Sequence, residues 1–420
     1  MKMESGISIP KISKKYGAAN NLRRFFCKMA TVFSGLENFI KSPPSYIQGK
    51  RLGLLCNPAS VNRNFVHARQ LINEKFPGKL SALYSPQHGF FSEKQDNMIE
   101  SENIIDNTTG VQVFSLYGKT RIPSKEMFEP IDILLIDLQD AGTRVYTFIY
   151  TMSYCLEAAK KFGKKVVILD RPNPIGGVAV EGNCLSLEYI SFVGRYPIPM
   201  RHGLTIGELA LLFNKHYAID CDLEVIPMKG WRRKMFFSDT SLPWIPPSPN
   251  LPTPVSAIVY PGQVILEGTN ISEGRGTTQP FEIFGAPFIE CDKIISFLGT
   301  NKFSGAILRP IAFEPTSNKW QGELCRGFQI HVTDQDKYKP YYSTVKILQA
   351  VFQCYSNHFA WKLPPYEYEF EKYPVDLITG NAAIRAAIEN NDDIEEIEKS
   401  WRDEIEQFLD ISRKYHIYSL

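Results

Sequence analysis

The sequence is short of the features that would set it apart from ordinary globular proteins. In its 420 residues no apolar run reaches the 18 or more residues that a membrane span requires. No charge sign dominates: 47 Lys and Arg stand against 45 Asp and Glu, a net charge of +2. That balance gives no argument for a nucleic-acid or anionic-membrane partner. The 8 cysteines, at positions 27, 56, 155, 184, 221, 291, 325 and 354, form no CxxC pair and no metal-like cluster. Several lie in apolar runs such as RLGLLC (51–56), so buried free thiols are expected, not a disulfide framework or a metal site. There is no internal repeat, no low-complexity tract, no GxSxG elbow and no HExxH. Two partial motifs fail on inspection. Gly118-Lys119-Thr120 looks like the end of a phosphate loop, but Val113 occupies the place of its leading glycine, and GRGTTQ (274–279) lacks the third glycine of a dinucleotide fingerprint.

What is present is a chain with 44% apolar and 22% charged residues, 12% aromatics and 28 prolines, close to the globular average. Residues 1–33 are basic and polar and are expected to be poorly ordered. The segment NNLRRFFCKMATVF has a faint signal-peptide character. Lys28 interrupts its apolar run and no A-x-A-like site follows, so it reads as a cytoplasmic extension. Beyond it, short apolar runs alternate with helical periods. Strands are predicted at 51–56, 79–85, 111–117, 131–138, 165–170 and 223–228, with helices at 67–76, 146–162 and 205–216. Continuous apolar strands separated by helices imply a parallel sheet covered on both faces, a Rossmann-like α/β domain. Residues 34–294 are assigned to it, and residues 295–420 to a smaller α+β domain.

Ligands of such sheets bind beyond the carboxyl ends of the strands, which directs attention to the loops at 86–97, 139–147 and 170–177. The Pro- and Gly-crowded stretch at 240–290 joins them, because so long a run without periodicity is uncommon unless functional. These loops hold His88, Asp140, Arg144, Tyr146, Asp170, Arg171, Asn173, Asn250, Glu267, Asn270, Glu273 and Arg275, and Arg201 and His202 stand just before the predicted helix at 205–216. Singly, each has an ordinary structural explanation: a local ion pair, a helix cap or turn chemistry. Together, carboxylates with nearby Arg, Asn and Tyr suit hydrolysis of a glycosidic bond, where one carboxyl protonates the leaving oxygen and another serves the oxocarbenium-like centre.

The segments DLQDAGTRVYTFIYTM, VILDRPNPIGG, SFVGRYPIPMRHGLTIGELA, WIPPSPNLPT and YPGQVILEGTNISEGRGTTQPFEIFGAPF resemble the signature blocks of the NamZ family, glycoside hydrolase family 171, formerly the domain of unknown function DUF1343. The resemblance spans about residues 34–420. It implies a Rossmann-like domain and a smaller C-terminal domain enclosing a cleft. The activity it implies is removal of N-acetylmuramic acid from the non-reducing ends of peptidoglycan fragments, with no metal or organic cofactor. Where the family commonly reads Pro-Glu-His-Gly, with the glutamate as its catalytic carboxyl, this chain reads Pro86-Gln87-His88-Gly89. Gln87 keeps shape and hydrogen bonds but cannot act as an acid or carry charge. Glu93 and Asp96, in the following FFSEKQDNM, are the expected substitutes, with Asp140, Glu267 and Glu273 next in line. A sugar-binding protein without chemistry is the alternative. For the lactyl carboxylate of the substrate, Arg144, Arg201 and Arg275 are the candidates, since a guanidinium matches a carboxylate bidentately.

Overall fold

In a computed structural model of the chain, the described residues are 31–94, 98–118 and 120–420. The expected extension at 1–33 therefore lies almost wholly outside them, as does Asp96.

Thirteen strands occur among the described residues. The first sheet contains β1 (Leu52–Cys56), β2 (Leu80–Ser85), β3 (Ile104–Ile105), β4 (Gln112–Ser115), β5 (Ile133–Asp137), β6 (Lys165–Leu169) and β9 (Leu223–Ile226). Their order is β3-β4-β2-β1-β5-β6-β9, and only the edge strand β3 runs antiparallel to its neighbour. Every residue of β1 and β5 is buried, as continuous apolar runs demand when helices cover both faces. The helix Phe148–Phe162 covers one face and stops at Gly163, whose left-handed backbone (φ 64°) suits glycine. The helix Ile206–Lys215 begins at a capping box in which the Thr205 side chain accepts from the Glu208 amide and the Glu208 side chain accepts from the Thr205 amide.

Strands β7 (Glu181–Cys184) and β8 (Pro199–Arg201) form a separate antiparallel pair. The smaller C-terminal part is built on a second, antiparallel sheet. Its strands β10 (Ile283–Ala286), β11 (Lys302–Phe303), β12 (Ala306–Phe313) and β13 (Cys325–Val332) stand in the order β10-β13-β12-β11. The helix Pro340–Cys354 packs on the helix Pro254–Gln263, and a side chain at Gly262 would run into the Pro340 carbonyl. One apolar cluster runs through both parts, from Leu134 and Ile149 to Phe284, Phe328, Leu348 and Ile378. At roughly 1.5–3 kcal/mol for each large aliphatic or aromatic side chain buried, this shared core fixes the C-terminal part against the first sheet. No helix among the described residues is long and apolar enough to cross a membrane.

The chain order sets the place of a site. From the central β1 the chain builds outward through β2 and β4, then returns to the other side of β1 for β5, β6 and β9. The crevice at the carboxyl ends of β2 and β5, which flank β1, is the switch point where such sheets bind ligands.

Candidate active site

Gln87 and His88 follow β2, Val145 to Phe148 follow β5, and Asn250, Glu267 and Arg275 come from the Pro/Gly-rich stretch; all of them line one pocket at that switch point. Tyr366 and Glu367, from the C-terminal part, complete it. The pocket itself is narrow, with a cavity volume of about 30 Å³, room for about two waters. Asn250 also lines a neighbouring groove of about 690 Å³, walled by Gly276, Thr278, Ile311 and Phe313.

One side of the pocket is charged. Arg275 donates to Glu267 Oε1 at 2.6 Å and reaches Glu273 Oε1 at 3.1 Å, while Tyr366 donates to Glu267 Oε2 at 2.8 Å. Lys319 closes the cluster by donating to Glu273 Oε2 at 2.8 Å. Burial works to raise the Glu267 carboxyl, but the Arg275 guanidinium, the Tyr366 hydroxyl and the Lys319 charge together outweigh it and hold the group below its ordinary range. Glu267 is therefore an ionised carboxylate at neutral pH.

The opposite side carries a second carboxyl, hydrogen-bonded to neutral groups. Gln87 donates from Nε2 to Glu367 Oε1 at 3.1 Å and accepts from Thr147 Oγ1 at 2.7 Å; Tyr117 donates to Glu367 Oε2 at 2.7 Å. Burial raises the Glu367 carboxyl, against the hydrogen bonds from Tyr117 and Gln87, and the negative charge of Glu267 raises it further. Glu367 and Tyr368 both have left-handed backbones (φ 46° and 68°), as does His88 (φ 77°). Such conformations are costly for non-glycine residues and gather where the surroundings fix a functional geometry. His88 Nδ1 lies 2.8 Å from the Lys94 carbonyl oxygen. That oxygen can only accept, so Nδ1 carries the hydrogen and Nε2 the lone pair. Burial lowers the His88 imidazole to about 4, leaving it neutral.

Of the residues singled out from sequence, Gln87, His88, Tyr146, Asn250, Glu267 and Arg275 thus come together. Glu273 stands behind Arg275. The others lie elsewhere, for identifiable physical reasons. Glu93 is exposed and accepts from the Phe91 amide over Gly89. Asn270 holds the chain at 358–360 by donating to the His358 carbonyl and accepting from the Ala360 amide. Asp140 accepts from the Gly142 amide and faces His202 Nε2 at 3.5 Å, both in the interior.

Arg144 is fully buried, and its guanidinium donates to the carbonyls of Asn183, Ile198 and Ile378. Arg201 donates to the Ile175 carbonyl and lines a different cavity, beside Glu181 and Trp401. Neither faces the pocket, so of the three arginines considered for a lactyl carboxylate only Arg275 does. Asp170 accepts from Thr205, Gly207, Arg171 and Tyr418, which ties the end of the chain to β6. Arg171 forms a two-pronged ion pair with Asp137, at 2.5 and 2.8 Å, and Asn173 donates to the Leu204 carbonyl. The loop 170–177 does not line the pocket. Glu367, Tyr366, Tyr117 and Thr147 were not picked out from sequence. The available signal was a glutamate between tyrosines just after two prolines, in PPYEYEFEKYP.

Comparisons with known proteins identify the family and the fold. The family described as exo-beta-N-acetylmuramidase NamZ, N-terminal, matches residues 52–255, and its C-terminal counterpart matches residues 258–418. A protein of Bacillus subtilis (strain 168), peptidoglycan beta-N-acetylmuramidase NamZ, is 45% identical over 392 residues, covering 93% of this chain and 92% of its own length. Two crystal structures of DUF1343 family proteins from Bacteroides fragilis NCTC 9343 superpose on the fold. One has a TM-score of 0.83 at 35% identity, covering 93% of this chain and 100% of the other. The second has a TM-score of 0.73 at 29% identity, covering 93% and 99%. With both halves of the family matched over nearly the whole chain, this protein belongs to the NamZ exo-beta-N-acetylmuramidase family.

Proposed function

We propose that this chain is a glycoside hydrolase that removes N-acetylmuramic acid from the non-reducing ends of peptidoglycan fragments, using the pocket between β2, β5 and the C-terminal part. Family membership supports the reaction and the polymer. The observation that carries the site is the ionised Glu267, held by Arg275 and Tyr366 in a buried pocket at the sheet's switch point. A carboxylate in that setting stabilises positive charge at the anomeric carbon or activates the attacking water. The narrow end of the pocket takes the reacting atoms and water, and the groove beyond Asn250 takes the sugar rings. Neutral His88 offers Nε2 as an acceptor for a sugar hydroxyl. Arg275, already bound to two carboxylates, is the one remaining candidate of the original three for the lactyl group. A purely sugar-binding role, the alternative raised by Gln87, has no observation in its favour.

Incubation with a muramic acid disaccharide and with a chromogenic muramoyl glycoside tests the proposal. Release of N-acetylmuramic acid from both is expected. Release from lactyl-free analogues at the same rate would remove the muramic specificity, and no release from either would remove the reaction. A cytoplasmic place of action, expected from the interrupted apolar run at Lys28, belongs to the same proposal, and cell fractionation tests it.

A further inference from the structure

We infer that Glu367 is the catalytic proton donor of this enzyme, contributed by the C-terminal part, and that Gln87 and Tyr117 are its positioning residues. The inference rests on the hydrolase reading above and adds to it the identity of the acid. A β-glycoside of a sugar leaves poorly as an alkoxide, so the reaction needs a group that reaches the bridging oxygen and carries a proton at neutral pH.

Most of the groups around the pocket fail one of these requirements. Gln87 has no ionisable proton. His88 is neutral, with its hydrogen committed to the Lys94 carbonyl. Glu267 and Glu273 are engaged in ion pairs with Arg275 and Lys319. Glu93 is exposed and turned back on its own loop. Asp140 is packed beneath the wall against His202.

Glu367 is the pocket carboxyl that its surroundings move toward the protonated form. It lines the pocket with only 4% of its surface exposed, and no guanidinium or ammonium forms an ion pair with it among the described residues. Its two hydrogen-bond partners, the Gln87 amide and the Tyr117 hydroxyl, are neutral. The strained backbone at Glu367 and Tyr368 shows the side chain delivered to this place at a conformational cost. Burial raises the carboxyl and the like charge of Glu267 across the pocket adds to it, and together they exceed the opposing hydrogen bonds from Tyr117 and Gln87 and the charge of Arg121. Two carboxyls in one pocket, driven in opposite directions by their surroundings, make an acid and a base of the same residue type.

In the reaction the Glu367 proton passes to the glycosidic oxygen as the bond from that oxygen to the anomeric carbon breaks. The bonding electrons stay on the oxygen, which leaves as a hydroxyl of the remaining saccharide. A water supplies hydroxide to the anomeric carbon and its other proton to a carboxylate, so one water is consumed for each bond cleaved.

Glu367→Gln in the full chain separates this role from a structural one when two substrates are compared. With a muramoyl disaccharide, whose leaving group needs a proton, the rate constant kcat should fall about 10²–10⁴-fold. With a 4-nitrophenyl muramoyl glycoside, whose leaving group departs unprotonated, the fall should be far smaller, and the loss of rate on the alkaline side of the pH profile should disappear. Equal falls on both substrates, or none on either, would overturn the assignment while leaving the hydrolase reading intact. A wild type inert on both overturns the two together. Should Glu367→Gln not fold, Tyr117→Phe decides: it removes one donor to the ionised form, so the alkaline limb of the disaccharide profile must move to higher pH. An unmoved limb rejects the proposal.

Discussion

Gln87 and Glu367, 280 positions apart in the chain, meet at 3.1 Å between an amide nitrogen and a carboxyl oxygen. The contact joins the loop after β2 to the loop of the C-terminal part that closes the pocket, so the acid arrives only when both parts of the protein are folded together. It also gives the departure at position 87 a physical meaning. An amide beside a carboxyl supplies a donor without adding a second negative charge at hydrogen-bond distance from Glu367.

Replacing that amide by a carboxyl should show the difference. In Gln87→Glu, two carboxyls at hydrogen-bond distance would share one proton, and their titrations would become coupled. The first proton would come off easily and the second only at higher pH, because like charges this close oppose double ionisation. The alkaline limb of the kcat profile should move to higher pH, and thermal stability above that limb should fall. Activity profiles and melting temperatures across pH 5 to 9 check both. A limb that stays in place would mean that residue 87 does not act on the catalytic acid.

Glu267→Gln should behave unlike Glu367→Gln. Its charge is needed whatever the leaving group, so disaccharide and aryl substrates should both lose about 10²-fold or more in kcat. Stability should fall too. Removing one member of a buried ion pair costs about 3–5 kcal/mol, and the lower end applies because Glu273 still faces Arg275. The carboxyl of Glu267 is depressed on folding, so its contribution is present above the ordinary carboxylate range and is lost as pH falls through the folded value. Urea denaturation at pH 7 and pH 3 should show the variant's deficit shrinking at the lower pH.

Most of the first sheet was legible because each of its longer strands is an apolar run between turn signals, and each covering helix has a clear period. The carboxyl ends of those strands then pointed to Gln87, His88 and Tyr146. The same reasoning drew in Arg144, Asp170 and Arg201, whose partners are backbone carbonyls, side-chain hydroxyls and amides brought together only by the tertiary fold. A polar residue at a strand end looks the same in sequence whether it faces a ligand or an orphaned carbonyl. Glu367 escaped for the opposite reason. It follows no strand of the parallel sheet and enters the pocket from a loop distant in sequence, so no local pattern connects it to Gln87.

Acid sensitivity should come partly from two histidines. Burial lowers His67 and His88 each to about 4, below the ordinary 6.5. At His67 the geometry agrees: Nδ1 accepts from the Arg69 amide and Nε2 faces the Asn57 carbonyl, which fixes a neutral ring. Between pH 6.5 and 4 the unfolded chain binds protons that the folded one does not. Stability is therefore complete above the unfolded value and falls as pH drops through this window. A tenfold difference in proton affinity between the folded and unfolded chain corresponds to about 1.4 kcal/mol, so each histidine accounts for up to roughly 3 kcal/mol. His67→Asn, remote from the pocket carboxyls, should flatten the fall of unfolding free energy between pH 6.5 and 4. An unchanged slope would mean that His67 is protonated in the folded state.

Arg121 provides the last test, because it acts on Glu367 without touching the reaction. Its guanidinium lies over the rings of Tyr117 and Phe192, at 4.8 and 4.6 Å, and closest to Tyr368, at 4.0 Å. The aromatic faces hold the cation beside the segment that carries Glu367. Burial sets the upward direction of the Glu367 carboxyl, and the Arg121 charge works against it by favouring the ionised form. Arg121→Gln removes that charge, so Glu367 should keep its proton to higher pH. Since the acid must be protonated to work, the alkaline limb of the disaccharide profile should move upward, while the aryl substrate, which needs no proton, should show little change at neutral pH. Some stability should be lost as well, about 0.5–2 kcal/mol for a desolvated cation–aromatic contact. If the limb moved downward instead, Arg121 would be acting by holding the loop in place and not through its charge. Arg121→Lys, which keeps the charge but not the planar stacking, distinguishes the two: it should restore the limb if charge is the agent and leave it displaced if stacking is.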